Sequence, residues 1–258
     1  MLDQQAYFSP LPPQGKGEAA ERALRSAIVH CMLAPGARLS EVALAREFGL
    51  GRGAVRAALA RLQSSGFVAA TARSGWSVTP VSAAEIRELG AARRQLEPLL
   101  CGVALDDNDR AHLHALSEMH AALMHRQELG GDVVSTIRRC EREILETLAA
   151  RLGMPSVAGW LRDLWDRALR LVNFFEANAA VKHAPPDRSR FVEALMEGRR
   201  TDALSILASA NSALETYLLD RFLESEATVA SRHARKPAAK DKPFADGATR
   251  TSPGIIRT

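Results

Sequence analysis

From Ser82 to about residue 225 the chain reads as helix almost without a break. Asp106-Asp107-Asn108, Gly130-Gly131, Gly153 and Pro185-Pro186 punctuate it, giving helices near 82–105, 108–127, 131–152, 155–178, 187–197 and 200–224. Six amphipathic helices on short connections must bury their apolar stripes against one another, which predicts an antiparallel all-helical bundle over 81–225. The composition agrees, with 47% hydrophobic residues but 5% aromatics, dominated by the helix formers Ala and Leu.

The first third reads differently. A helical pattern covers Glu18–Leu33, with Ala20, Leu24, Ile28 and Met32 spaced by fours, and Ala34-Pro35-Gly36 ends it. Ser40 is placed to cap a short helix over Glu41–Phe48, closed by Gly49. A second helix runs from Arg52 to Ser65 and stops at Gly66. Two short helices around a glycine-containing turn make a helix-turn-helix. Phe67-Val68-Ala69-Ala70 and Trp76-Ser77-Val78-Thr79 then read as two strands around the turn Arg73-Ser74-Gly75. The expected fold is therefore mainly α: a winged helix-turn-helix over 18–80, then the bundle. Residues 1–17, rich in Pro, Gln and Gly, read as a flexible arm. Residues 226–258, rich in Ala, Lys, Arg and Pro, read as a disordered basic tail.

The second short helix opens on Gly51-Arg52-Gly53, without an acidic residue. Arginine at the positive end of the macrodipole costs from a few tenths to about 1 kcal/mol, so an anion is expected there in the working state. Residues 15–80 carry nine Lys or Arg against four Glu, so this segment holds a net charge of +5, against +4 for the whole chain. Such a patch neutralises phosphates. Arg52 and Arg56 on the helix, with Gly51 and Gly53 allowing close backbone approach, are the expected DNA contacts. Arg38, Ser40, Arg46 and the wing residues Arg73 and Gly75 complete the set. The competing reading of any one arginine is a solvated helix face.

Several classes are disfavoured. Cys31, Cys101 and Cys140 lie far apart without a Cys-x-x-Cys motif, which fits a reducing cytoplasmic setting. No apolar run approaches a membrane span, and the N-terminus lacks the pattern of a signal peptide. Neither Gly-x-Ser-x-Gly, a P-loop nor His-Glu-x-x-His occurs, so no enzyme is expected.

The stretch "LAPGARLSEVALAREFGLGRGAVRAALARLQSSGFV", followed by "RSGWSV", resembles the GntR superfamily of bacterial transcription regulators. Pro35-Gly36, Arg38-Leu39-Ser40-Glu41, Leu44-Ala45, Gly49, Arg52, Val55-Arg56, Leu59, Leu62, Gly66 and Gly75 match its pattern. The resemblance implies that Arg52 and Arg56 reach the major groove and that Arg73 and Gly75 lie near the minor groove. Gly51, Ala54 and Ala57 depart from the usual Ser or Thr, Pro and Glu. The helical part is similar to the FadR-like effector domains, called FCD, through "IRELGAARRQLEPLLCGVAL" and "EGRRTDALSIL".

That second resemblance implies a ligand cavity faced by Arg93. Most members of the branch hold a divalent metal there through an Asp and three His. Glu141, Leu145, Arg188 and Ala210 or Asn211 stand at those positions here, so the metal site is expected to be lost and no cofactor is expected. Arg93, Glu141 and Arg188 are then the candidate effector contacts, for a small anionic ligand or, as in a metal-free subset of the branch, an acyl-CoA thioester. Arg93 or Arg94 could instead pair with a glutamate such as Glu97 or Glu141. His112, His114, His120 and His125 on one helix are read as exposed or interface residues. Trp160, Trp165, Phe174 and Phe175 are read as core. The whole is expected to be a homodimeric repressor on a palindromic operator, modulated by a small molecule. The alternative is a helical small-molecule-binding or enzymatic protein with an incidental basic N-terminal domain.

Overall fold

The computed structural model describes residues 14–71, 75–126, 130–177 and 182–234. Its first helix, α1, spans Gln14–Val29, so helix begins four residues before the expected start and inside the stretch read as an arm. Gly17 is buried in it beneath Arg61; a Cβ there would come within 3.5 Å of the Arg61 guanidinium. The chain leaves α1 through Cys31, which adopts the left-handed φ of 58°.

Helix α2 spans Glu41–Glu47, with Ser40 as its N-cap accepting from the Ala43 amide at 3.4 Å. Gly49 takes a φ of 63° in the turn, and α3 follows over Arg52–Ser64. The wing has three strands, one more than the sequence pattern reveals: β1 (Arg38–Leu39), β2 (Val68–Thr71) and β3 (Gly75–Val78), in the order β1-β3-β2. Both pairings are antiparallel, setting Leu39 opposite Trp76 and Val68 opposite Val78. Leu24, Ile28, Leu44, Val55, Leu59, Leu62, Phe67 and Val78 close one core.

The remaining helices are α4 (Ala83–Leu96), α5 (Asp107–Met124), α6 (Gly131–Ala150), α7 (Pro155–Glu176), α8 (Arg188–Met196) and α9 (Arg200–Ala234). The stretch expected as one helix over 82–105 changes at Glu97 to a 3₁₀ segment, Glu97–Gly102, where Pro98 cannot supply an amide to the α-helical ladder. Helix α9 runs past residue 225, so residues 226–234, read as disordered tail, are helical. Residues up to Leu223 form one compact unit. The bundle core gathers Leu113, Ile144, Leu148, Leu161, Trp165 and Phe191. Trp165 and Phe175 are buried as expected, but Trp160 is 57% exposed and Phe174 also reaches the surface.

Two polar links, one buried and one half-buried, tie the winged helix to α7. Arg170, fully buried, donates to the Thr79 carbonyl at 2.6 Å and to Glu85 at 2.5 Å. Arg25 of α1 reaches Asp163 at 2.5 Å and Asp166 at 3.3 Å, with its guanidinium 4.8 Å from the centre of the Phe67 ring.

Candidate functional site

The first candidate is the start of α3. Gly51 is its N-cap in extended conformation, without a side-chain capping bond, and its first turn carries no acidic residue. Gly51, Arg52 and Gly53 are all exposed, and a Cβ on either glycine would meet nothing within 4 Å. Nothing internal requires glycine at these positions; their backbone amides stay open to an external group at the positive helix end. Arg56, one turn on, is held by Glu41 of α2 at 2.8 Å, and Glu41 also accepts from the Trp76 indole at 3.3 Å. That bond to Arg56 holds the Glu41 carboxyl below its usual range. Arg56 therefore spans the two helices through Nε and Nη2, while its side chain stays largely exposed. Arg38 on β1, Arg46 near the end of α2, and Gly75 at the start of β3 are exposed as well. Ser40, also exposed, accepts the α2 capping bond on its hydroxyl oxygen, which leaves its O–H able to donate. Arg73 lies outside the described residues.

The second candidate is a cavity of about 120 Å³ among α4, α6, α7, α8 and α9. Arg93, Glu141 and Arg188, which the sequence could join only by resemblance, all line it. Leu145, Val172 and Leu214 add apolar wall. Arg138 and Arg142 are further lining cations that the sequence reading missed. Their signal was present: residues 138, 141, 142 and 145 fall on one face of α6.

Most of this charge is already paired. Arg93 donates through Nε to Glu97 at 2.7 Å while also lining the cavity, and Arg94 pairs with Glu215. Glu97, 0% exposed, also accepts from the Trp165 indole at 2.8 Å and the Asn211 amide at 2.7 Å. Burial pushes its carboxyl up, but Arg93, Arg188 and these bonds outweigh burial and hold it below the usual carboxylate range. Arg138 forms a two-pronged pair with Glu176 at 2.6 and 2.9 Å. Arg188, 1% exposed, donates twice to Oε1 of Glu141, yet its buried Nη1 meets no acceptor among the described residues.

These residues do not fit a divalent metal. Glu141 is engaged by a guanidinium, Leu145 and Ala210 offer no donor atom, Asn211, the alternative to Ala210, donates its amide to Glu97, and Arg188 is itself a cation. Among the histidines, His112 and His114 are exposed and lie near Glu143 and Glu118. His120 departs from the expectation: it is 0% exposed, with neither ring nitrogen hydrogen-bonded among the described residues. All three cysteines are free.

A family model described as bacterial regulatory proteins, gntR family, matches residues 16–78. The HTH-type transcriptional repressor RspR of Escherichia coli K12 is 34% identical over 93 residues, 36% of this chain and 40% of that protein. An HTH-type transcriptional regulator in the TAR-I ttuE-ttuC' intergenic region of Agrobacterium vitis is 31% identical over 123 residues, 45% of this chain and 72% of that protein. The chain spans about two fifths of the length of the first curated relatives it matches. Among solved structures, E. coli McbR/YncC superposes with a TM-score of 0.65 at 22% identity, over 80% of this chain and 98% of that one, a likeness of fold. Among the described residues no helix is long and apolar enough to cross a membrane.

Proposed function

This chain belongs to the gntR family of bacterial regulatory proteins, and on that footing we propose that it is a transcription regulator that binds operator DNA and is modulated by a small anionic effector. The observation that carries the DNA reading is the exposed Gly51-Arg52-Gly53 start of α3, where both glycines lack an internal reason and the helix end lacks an acid. Arg52 and Arg56 read the major groove, and the amides at 51–53 hold a phosphate. Arg38 and Arg46 add backbone contacts, and Arg73 and Gly75 of the wing lie near the minor groove. One recognition helix covers a few base pairs, so the working unit is a homodimer on a palindromic operator. Repression is the proposed sign, in line with the name of the relative RspR.

The helical part is of the FadR type, with its metal replaced by an ion pair. In support, Glu141, Leu145 and Arg188, aligned with three of the metal ligands, line one cavity, and of the two positions aligned with the fourth, Ala210 and Asn211, Ala210 lines it too. The effector is an anion with an apolar body. The unsatisfied Nη1 of Arg188 supports this, since a buried donor without an acceptor costs about 1–3 kcal/mol that a ligand oxygen would recover. The effector acts by binding two orientations of the reading heads unequally. Selection of genomic fragments by the purified protein, followed by footprinting, tests the reading. A protected inverted repeat is expected; retention of fragments without a shared sequence would overturn it.

A further inference from the structure

Arg142 belongs to two structures at once. It lines the cavity, 5.1 Å from the centre of the Trp165 ring, and it donates to Oδ1 of Asp166 at 2.8 Å. The other oxygen of Asp166 accepts from Arg25 of α1 at 3.3 Å. Arg25 in turn holds Asp163, Glu21 and Ser65, and Glu21 holds Arg61 of α3. The other cavity arginines differ. Arg93, Arg138 and Arg188 pair with Glu97, Glu176 and Glu141, all within the helical bundle.

We infer that Arg142 is the effector-sensing residue: an anionic ligand in the cavity takes the guanidinium that Asp166 now shares, and Asp166 turns its undivided charge on Arg25. This rests on the effector reading above. Asp166 is flanked by two cations at 2.8 and 3.3 Å, and withdrawing the nearer leaves the farther to answer its full charge. Glu146, the second partner of Arg142, keeps Arg162 at 2.6 Å and so does not force Arg142 back. Ligand occupancy thereby tightens α1 against α7 and fixes the orientation of α3, whose basic end reads DNA. Leu169 lies on the same path: it lines the cavity and packs against the winged-helix core.

Amide hydrogen exchange on the full chain, without DNA, tests the route. Arg142→Met imitates capture of Arg142. Exchange in α1 over residues 21–29 is expected to slow by about two- to fivefold, the range a partly exposed ion pair supports. Arg138→Met, which removes another cavity arginine, is expected to leave α1 unchanged. In an Asp166→Asn background, Arg142→Met is expected to have no further effect there. Arg142→Gln serves the same purpose should the methionine variant not fold. Acetate, benzoate and octanoate are the ligand probes; at least one is expected to slow α1 in wild type and not in Arg142→Met. Unchanged or faster α1 exchange in Arg142→Met, an effect that survives Asp166→Asn, or no response to any of the three acids would overturn the inference. Because no DNA is present, failure here leaves the operator reading intact, and failure of the operator selection leaves these results standing.

Discussion

Arg188 donates through both Nε and Nη2 to a single oxygen of Glu141, at 2.9 and 2.6 Å, across the cavity between α6 and α8. Removing one partner strands a buried charge, whereas removing both replaces the pair by packing. Glu141→Ala is expected to lower the unfolding free energy by about 3 kcal/mol in a urea titration, and Glu141→Leu with Arg188→Met to return it to within about 1 kcal/mol of wild type. A double variant as unstable as the single one would show that the pair carries more than charge balance.

A substitution at Gly53 is expected to separate stability from the proposed DNA contact. A Cβ there meets nothing, and its φ is not left-handed, so Gly53→Ala should stabilise α3 by up to about 1 kcal/mol through helix propensity. The same methyl stands where a phosphate is proposed to approach. Operator affinity should fall while the melting temperature rises. A rise in both would remove Gly53 from the interface.

Two imidazoles, the buried His120 and the half-buried His183, give stability a pH dependence of known sign. Burial, with a contribution from Arg188, depresses His120 below its ordinary value of 6.5 against the pull of Glu141 and Asp187. Burial and Arg138 do the same to His183. As pH falls through 6.5 the unfolded chain takes up protons that the folded chain refuses. Stability is therefore full above that pH and declines below it, by at most about 1.4 kcal/mol per pH unit for each group. Thermal melts of wild type and His120→Leu should diverge in slope below 6.5, with the variant the flatter. Parallel slopes would mean that His120 charges in the folded state at no cost.

The winged helix is legible from local signals because its determinants are local. Ser40 is three residues from the amide it caps, and Gly49 and Gly66 sit where positive φ is required. The two-residue strand β1 was invisible because two residues carry no periodicity. The start of α1 was missed because Gly15 and Gly17 read as loop, while burial of Gly17 beneath Arg61 is a tertiary fact. In the cavity, the candidate effector residues could be brought together only by resemblance, since Arg188 meets Glu141 across 47 positions. The links Arg25–Asp163 and Arg170–Glu85 span 138 and 85 positions and leave no pattern in the chain at all. The burial of His120 likewise follows from the packing of α5, whose apolar face is too weakly marked to assign a histidine to it.

The most direct test of the central claim is fluorescence anisotropy of the selected operator and a scrambled duplex, read across a salt series with wild type, Arg52→Ala and Arg56→Ala. Wild type is expected to prefer the operator by roughly 10³-fold or more, with affinity falling steeply as salt rises. Each substitution is expected to weaken operator binding by roughly 5- to 150-fold. Equal affinity for both duplexes, or operator binding unchanged in both variants, would contradict the proposed recognition helix.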